Sequence, residues 1–165
     1  MESQAEFVVE FSSDCIGMEF INIENPEDCV SQRPFYLLWI KNGKYFKRKF
    51  SDCSVFKTIE MERSDFLMMS NEKLHEIKNA KLLPVIHKSK KNPKGEQEIV
   101  ELDIDHFCES KFIFHKGTEK IEKSINHFYL GTEMIDENTP NDNYKLNQKS
   151  ILGTIHKLIG QETME

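Results

Sequence analysis

FYLLWIKNGKYFKRKFSDCSVFKTIEM, residues 35–61, is the stretch whose reading decides the fold class. Two aromatic and β-branched runs flank Asn42-Gly43, and an Asn-Gly pair in that setting is the strongest local signal for a two-residue hairpin turn of type I′. The turn requires positive φ at both central residues, which Asn tolerates and Gly adopts without steric cost. A two-residue turn also sets the register. Lys41 falls opposite Lys44, Ile40 opposite Tyr45, Trp39 opposite Phe46, and Leu37 opposite Arg48. Because strand side chains alternate, the register divides the hairpin into two faces. Phe35, Leu37, Trp39, Phe46 and Phe50, with Arg48 among them, are expected to form the core face. Tyr36, Leu38 and Ile40 against Tyr45, Lys47 and Lys49 are expected to face outward, the lysine stems covering Leu38 and Tyr36.

Upstream, residues 6–12 and 16–24 read as strands, with Phe7, Val9 and Phe11 alternating and then Ile16, Met18 and Phe20, joined by a short link through Cys15. Asn25-Pro26-Glu27-Asp28 is turn chemistry, and Pro34 precedes the hairpin where it interrupts no ladder. Downstream, 54–61 reads as a further strand. Ser70 is the expected N-cap of a helix carrying Leu74, Ile77 and Lys81, which Pro84 ends. Residues 85–88 and 98–105 pair about a basic tip, KSKKNPKGEQ. Residues 111–115 form another strand, and 118–130, with Ile121, Ile125, Phe128 and Tyr129, reads as a helix capped by Thr118 in preference to a strand. The polar run 136–147 is a loop. A last helix spans 147–160, with Ile151, Leu152, Ile155, Leu158 and Ile159 as its apolar stripe, Gly153 as a weak point and Gly160 as its C-terminal cap. The expected fold is α+β: a mainly antiparallel sheet of about six to seven strands, covered by two or three helices, in one domain over 1–165.

Composition limits the function classes. The chain has 165 residues, 30% of them charged and 38% hydrophobic, which suits a globular domain with its own core. It has no apolar run long enough for a membrane helix, and its acidic N-terminus does not resemble a signal peptide. The expected location is cytoplasmic, with no membrane association. Cys15, Cys29, Cys53 and Cys108 show no CxxC or zinc-finger spacing, so four small buried thiols are the expectation, with a disulfide or zinc site as the minor alternative. A formal charge of −6 disfavours broad nucleic-acid binding.

Catalytic signatures are missing. Seven glycines contain no GxGxxG or Walker-like pattern, so no nucleotide cofactor is expected. There is no GxSxG elbow and no HExxH, and the six histidines are scattered, with His115 and His127 able to meet only if the chain between them folds back. Asp103 and Asp105 on one strand face, followed by Glu109-Ser110-Lys111, loosely match the carboxylate and lysine pattern of metal-dependent nucleases. An E-x-K triplet carries little weight in so Glu- and Lys-rich a chain, and no metal site is assigned. The expected function is therefore non-enzymatic: an intracellular accessory domain that binds a protein partner. Tyr36, Lys41, Lys44, Tyr45, Lys47 and Lys49 are the candidate interaction surface, with strand edges and the loop 136–147 as further surfaces. A nucleic-acid module using the basic-aromatic hairpin 41–49 is one alternative, and a divalent-metal hydrolase using Asp103, Asp105 and Glu109 is another. The sequence does not choose a partner, a process or an oligomeric state.

Overall fold

A computed structural model of the protein describes residues 5–15, 35–51, 54–89 and 91–163. Its elements run β1 (Phe7–Cys15), β2 (Phe35–Lys41), β3 (Lys44–Phe50), β4 (Ile59–Met61), α1 (Asp65–Glu72), α2 (Leu74–Asn79), β5 (Val85–Lys88), β6 (Ile99–Leu102), β7 (Cys108–Lys116), β8 (Glu119–Asn126), α3 (His127–Gly131), α4 (Tyr144–Lys149) and α5 (Ile151–Thr163). Six strands form one antiparallel sheet in the order β4-β3-β2-β1-β7-β8, while β5 and β6 pair separately. The fold is α+β, with a helix-covered antiparallel sheet. Among the described residues, no helix is long and apolar enough to cross a membrane.

The hairpin forms as its turn chemistry dictates. Asn42 has φ 52° and Gly43 φ 70°, and the pairs run from Lys41 with Lys44 to Phe35 with Phe50. Its faces, however, are the reverse of the sequence expectation. Tyr36, Leu38 and Ile40 are buried, whereas Phe35, Leu37 and Trp39 are half-buried on the opposite side. The cause lies in the neighbouring strand. Register places Phe7 beside Ile40, Val9 beside Leu38 and Phe11 beside Tyr36, and the same side continues onto Phe112 and Phe114 of β7. A sheet has one core face, and the hairpin must match the face its neighbours bury. Every buried hydrophobic residue of the six strands lies on this one side, where it meets Phe66, Leu67, Ile77, Leu152, Ile155 and Ile159 from the helices. Burial of each such large side chain contributes about 1.5–3 kcal/mol.

Local chemistry accounts for other departures. Ser64, not Ser70, caps the first helix: its Oγ accepts from the Leu67 amide at 3.0 Å, and the chain kinks at Lys73 between α1 and α2. Ser70 is buried within α1. Residues 119–126 form strand β8 instead of the expected helix, because Gly117 (φ 59°) turns the chain so that Ile121 and Ile125 land beside Phe114 and Ser110 on the core face. At 54–61 the strand shrinks to Ile59–Met61, plus a bridge from Val55 to Phe50. The expected last helix is two: Ser150 is extended (ψ 161°) and caps α5 by accepting from the Gly153 amide at 3.0 Å. Gly153 is a packing requirement and not a weak point, since a Cβ there would stand 2.5 Å from the Asn147 carbonyl oxygen. Gly160 does not end the helix, which continues to Thr163.

Cysteine pairing is a further correction. Cys15 and Cys108 face each other where β1 and β7 end, and they form a disulfide. Sequence spacing could not reveal this, because sheet register brings together residues 93 apart. The expected thiol state of Cys29 and Cys53, the strand at 16–24 and the turn at 25–28 lie outside the described residues.

The polar run 136–147 is not a free loop. It clamps β5 through three buried asparagines. Asn147 accepts from the Leu83 amide and donates to the carbonyls of Leu83 and Tyr129. Asn143 donates to the Pro84 carbonyl, and Asn141 accepts from the Ile86 amide. Amide side chains here satisfy backbone groups of residues 83–86 beside the β5–β6 ladder.

Candidate functional site

Three places on this frame concentrate chemistry. The first is the face of the large sheet turned away from the helices. Across it run Phe46, Trp39, Val8 and His115, then Arg48, Leu37, Glu10 and Ile113, then Phe50, Phe35, Ser12 and Lys111, each row set by strand register. Trp39 stacks on Phe46 (ring centroids 5.4 Å apart), Phe35 meets Phe50 at 5.6 Å, and the Arg48 guanidinium lies 5.3 Å from the Phe50 ring. None of these residues is buried, and among the described residues no helix covers them. The charges beside them are largely matched. Lys44 pairs with Glu60 at 2.7 Å, Lys111 with Glu109 at 2.7 Å, Lys120 with Glu122 at 2.6 Å, and His115 with Glu10 at 2.7 Å. Mutual stacking of partly exposed rings beside ion-paired lysines describes an apolar surface more than an electrostatic one.

The second place is a groove of about 320 Å³ on the other side, where β3 meets the segment leading into β4. Tyr36, Lys47, Lys49, Phe56, Lys57 and Ile59 line it. Phe56 and Ile59 are 41% and 48% exposed. Lys47 Nζ donates to the carbonyl of Glu162 at 2.8 Å, and Lys49 Nζ stands 5.2 Å from the Phe56 ring centroid. The Tyr36 hydroxyl donates to the Thr163 carbonyl at 3.4 Å, so the end of α5 closes one side. Glu162 holds that end in place: its carboxylate accepts from the Ser64 hydroxyl and the Phe66 amide, and burial pushes its carboxyl up from the usual value.

The third is a polar cluster beneath α5. Buried Ser110 on β7 has its Oγ 2.9 Å from His127 Nε2 and 3.4 Å from His156 Nδ1, and the two imidazoles meet edge to face with centroids 4.7 Å apart. Desolvation lowers the affinity of both rings for a proton; Glu109 partly offsets this at His127, and His127 reinforces it at His156. Serine beside histidine suggests nucleophilic chemistry, but Ser110 is 1% exposed, and a substrate has no approach to its hydroxyl. The cluster satisfies buried polar groups.

The six residues expected to form an interaction surface separate. Tyr36, Lys47 and Lys49 come together in the groove, Tyr45 packs against the core, and Lys41 and Lys44 flank the hairpin turn on the open-face side. The acidic residues do not converge. β6 ends at Leu102, so Asp103 and Asp105 lie beyond the strand. Asp105 bonds His106, which holds its carboxyl below the usual range, and Glu109 pairs with Lys111. Among the described residues, no three His, Cys, Asp or Glu side chains stand where they could hold a metal ion together. His115 and His127 sit at opposite ends of the β7–β8 hairpin, and the histidine that meets His127 is His156. Sequence reading counted the hairpin from Trp39 to Lys49 among its candidate surfaces but assigned Trp39 and its aromatic neighbours to the core face, and it singled out neither Phe56 nor Ile59. Exposure at 56 and 59 depends on β4 being so short, which residue pattern does not disclose. The chain matches no family model, and no curated protein or solved structure matches it.

Proposed function

We propose that the protein is a non-enzymatic binding domain that docks a protein partner on the open face of its sheet. One observation carries this reading: the Trp39–Phe46 and Phe35–Phe50 ring pairs, with Leu37 and Arg48, lie on the face opposite the helices. Trp, Phe and Arg are the residue types that anchor protein interfaces, and a contiguous aromatic patch costs solubility unless something uses it. Ion pairs at Lys44, Lys111 and Lys120 favour a protein over a polynucleotide, because phosphates need cations whose charge is not already cancelled. The cytoplasmic location expected from the sequence meets one opposing fact in the Cys15–Cys108 disulfide, since such bonds persist mainly in oxidising compartments. Mass spectrometry of native protein alkylated before reduction checks that point; unmodified Cys15 and Cys108 place it where disulfides endure.

The experiment for the open face is quantitative capture from the native source by wild type and by a Trp39→Ala, Phe46→Ala double variant. A specific partner retained by wild type and lost by at least about tenfold in the variant supports the reading, since hot-spot aromatics contribute upward of ~2 kcal/mol each. Equal capture by both proteins, with both folded, removes it. Binding to single-stranded oligonucleotide that falls steeply with salt would transfer the aromatic face to the nucleic-acid alternative.

A further inference from the structure

Strand β8 is the outermost strand at the edge of the sheet opposite β4, and we infer that its free edge pairs with β8 of a second copy of this chain, antiparallel and centred on Ile121. An antiparallel strand turns both backbone groups of every second residue away from its one neighbour. β8 pairs with β7 along all eight of its residues, and among the described residues no hydrogen bond reaches its backbone from any other segment. A row of open amides and carbonyls of that length is a template on which a further strand adds. The opposite edge offers less, since β4 has three residues. Edges are commonly blunted by proline, by bulges or by charge. β8, EKIEKSIN, has no proline and pairs with β7 without a bulge, so charge is its remaining protection, and the order of those charges is self-complementary.

A two-fold axis perpendicular to the sheet keeps the helix layers of both copies on one side, so opposed residues must share a side of the sheet. Glu119, Ile121, Lys123 and Ile125 lie on the helix side, and Lys120, Glu122 and Ser124 on the open side. Every symmetric register therefore sets one residue against its own copy. Centring on Glu119, Lys120, Glu122 or Lys123 places like charges directly opposite, which destabilises a strand pair. Centring on Ser124 or Ile125 matches no charges. Centring on Ile121 sets Glu119 against the copy's Lys123 and Lys120 against the copy's Glu122, and the two-fold axis repeats each pair, so every charged residue of the strand meets the opposite sign. These side chains already have partners in the single chain. Lys120 pairs with Glu122 at 2.6 Å, Glu119 pairs with Lys78 of α2 at 2.8 Å, and Lys123 Nζ donates to the Ala80 carbonyl at 2.9 Å. Both ion pairs are exposed to water, where exchanging one partner for another of the same sign changes little. Charge therefore chooses the register, and the backbone bonds of the edge hold the copies together. A second copy is the occupant because EKIEK read backwards is its own charge complement, a property that only self-pairing uses.

The inference stands apart from the open-face reading, and its test is a charge swap. Sedimentation equilibrium of the full chain, from micromolar to millimolar concentration, should show a reversible equilibrium between monomer and dimer. Lys120→Glu and Glu122→Lys should each weaken self-association about tenfold, because each variant sets like charges opposite one another at two places. A one-to-one mixture of these two variants should regain wild-type association, and so should the double variant Lys120→Glu, Glu122→Lys. Both side chains are exposed, so circular dichroism should report native folding of every variant. A monomer at every concentration, a dimer indifferent to the single variants, or single variants that stay weak when mixed each overturns the inference. Trp39→Ala, Phe46→Ala should self-associate as wild type does, so failure at one surface is not failure at the other. A dimer lost in that variant and kept in the charge variants would overturn the pairing of β8 and assign self-association to the open face.

Discussion

Both faces of the six-stranded sheet carry large hydrophobic side chains, yet only one of them is packed under the helices. One carries Val9, Phe11, Leu38, Ile40, Phe112 and Phe114 under the helices, with exposures of 7% or less. The other carries Phe35, Leu37, Trp39, Phe46, Phe50 and Ile113, none of them buried. Apolar character on β2 does not distinguish them; the strands beside the hairpin do. A helix layer can pack on one side only when every strand presents its apolar residues there in the same register, and β1 and β7 meet that condition on the Leu38 side alone, since Val8, Glu10, Ser12 and Lys111, Ile113, His115 make their second face mixed. Hydrophobic residues on the second face therefore lie outside the helix-covered core.

That contrast can be broken directly. Leu38→Ala, at 0% exposure, should cost about 2–5 kcal/mol in urea unfolding, whereas Leu37→Ala, its neighbour on the open face, should cost under about 1 kcal/mol. Similar losses at the two positions would mean that something covers the open face as tightly as the helices cover the other. Next in size is Asn147→Ala. It strips a partner from the Leu83 amide and from the carbonyls of Leu83 and Tyr129, all from a side chain 1% exposed, and should cost about 2–3 kcal/mol while leaving the open face unaffected. Gly153→Ala sharpens the point from the helix side. Helix propensity alone predicts a gain of about 1 kcal/mol, but the Asn147 carbonyl at 2.5 Å from the new methyl group reverses the sign, and a thermal melt should show a loss.

How much of this was written in the sequence depends on the range of the interaction that decides each element. Asn42-Gly43 declares its turn within two residues, and the hairpin register, the β5–β6 pairing about a basic tip and the α+β class all follow from such local signals. The hairpin's faces do not, because both of its faces are apolar and the choice is made by β1 and β7, strands far away in the chain. Residues 119–126 illustrate the same limit: Ile121 and Ile125 satisfy helical spacing and strand alternation alike, and the deciding event is pairing with β7 after the turn at Gly117. The groove drew three of its six lining residues from the expected surface, Tyr36, Lys47 and Lys49, for a reason the expectation did not contain. They line it because β4 is too short to cover β3 and because the end of α5 arrives beside them. The Cys15–Cys108 pair and the Ser110, His127 and His156 cluster join residues from remote segments, and no local pattern announces them.

The smallest expected effect concerns pH and belongs to the covered face. His127 and His156 are both less basic than the usual 6.5, chiefly through desolvation, so the unfolded chain takes up their protons first as the solution is acidified. The stability they confer is complete above pH 6.5 and declines as pH falls below it toward their lowered folded values. Protonating both would also place two like charges on rings 4.7 Å apart and leave the Ser110 hydroxyl without an acceptor among them. Glu109 is the carboxylate that acts on this cluster, and Glu162, at the far end of α5, titrates separately. Glu109 eases the first protonation at His127, and the buried carboxyl of Glu162 acts in the opposite sense, its contribution being full below its usual 4.5 and lost as pH rises through its raised value. Both carboxylates are unchanged in a His156→Gln variant, so comparing its stability with wild type between pH 7 and pH 5 isolates the imidazole. The variant should lose less stability on acidification than wild type, with the difference confined to the interval below 6.5. Parallel curves would show that α5 moves off the cluster, letting water screen the rings, and the covered face would then be less firmly closed at that end than its hydrogen bonds imply.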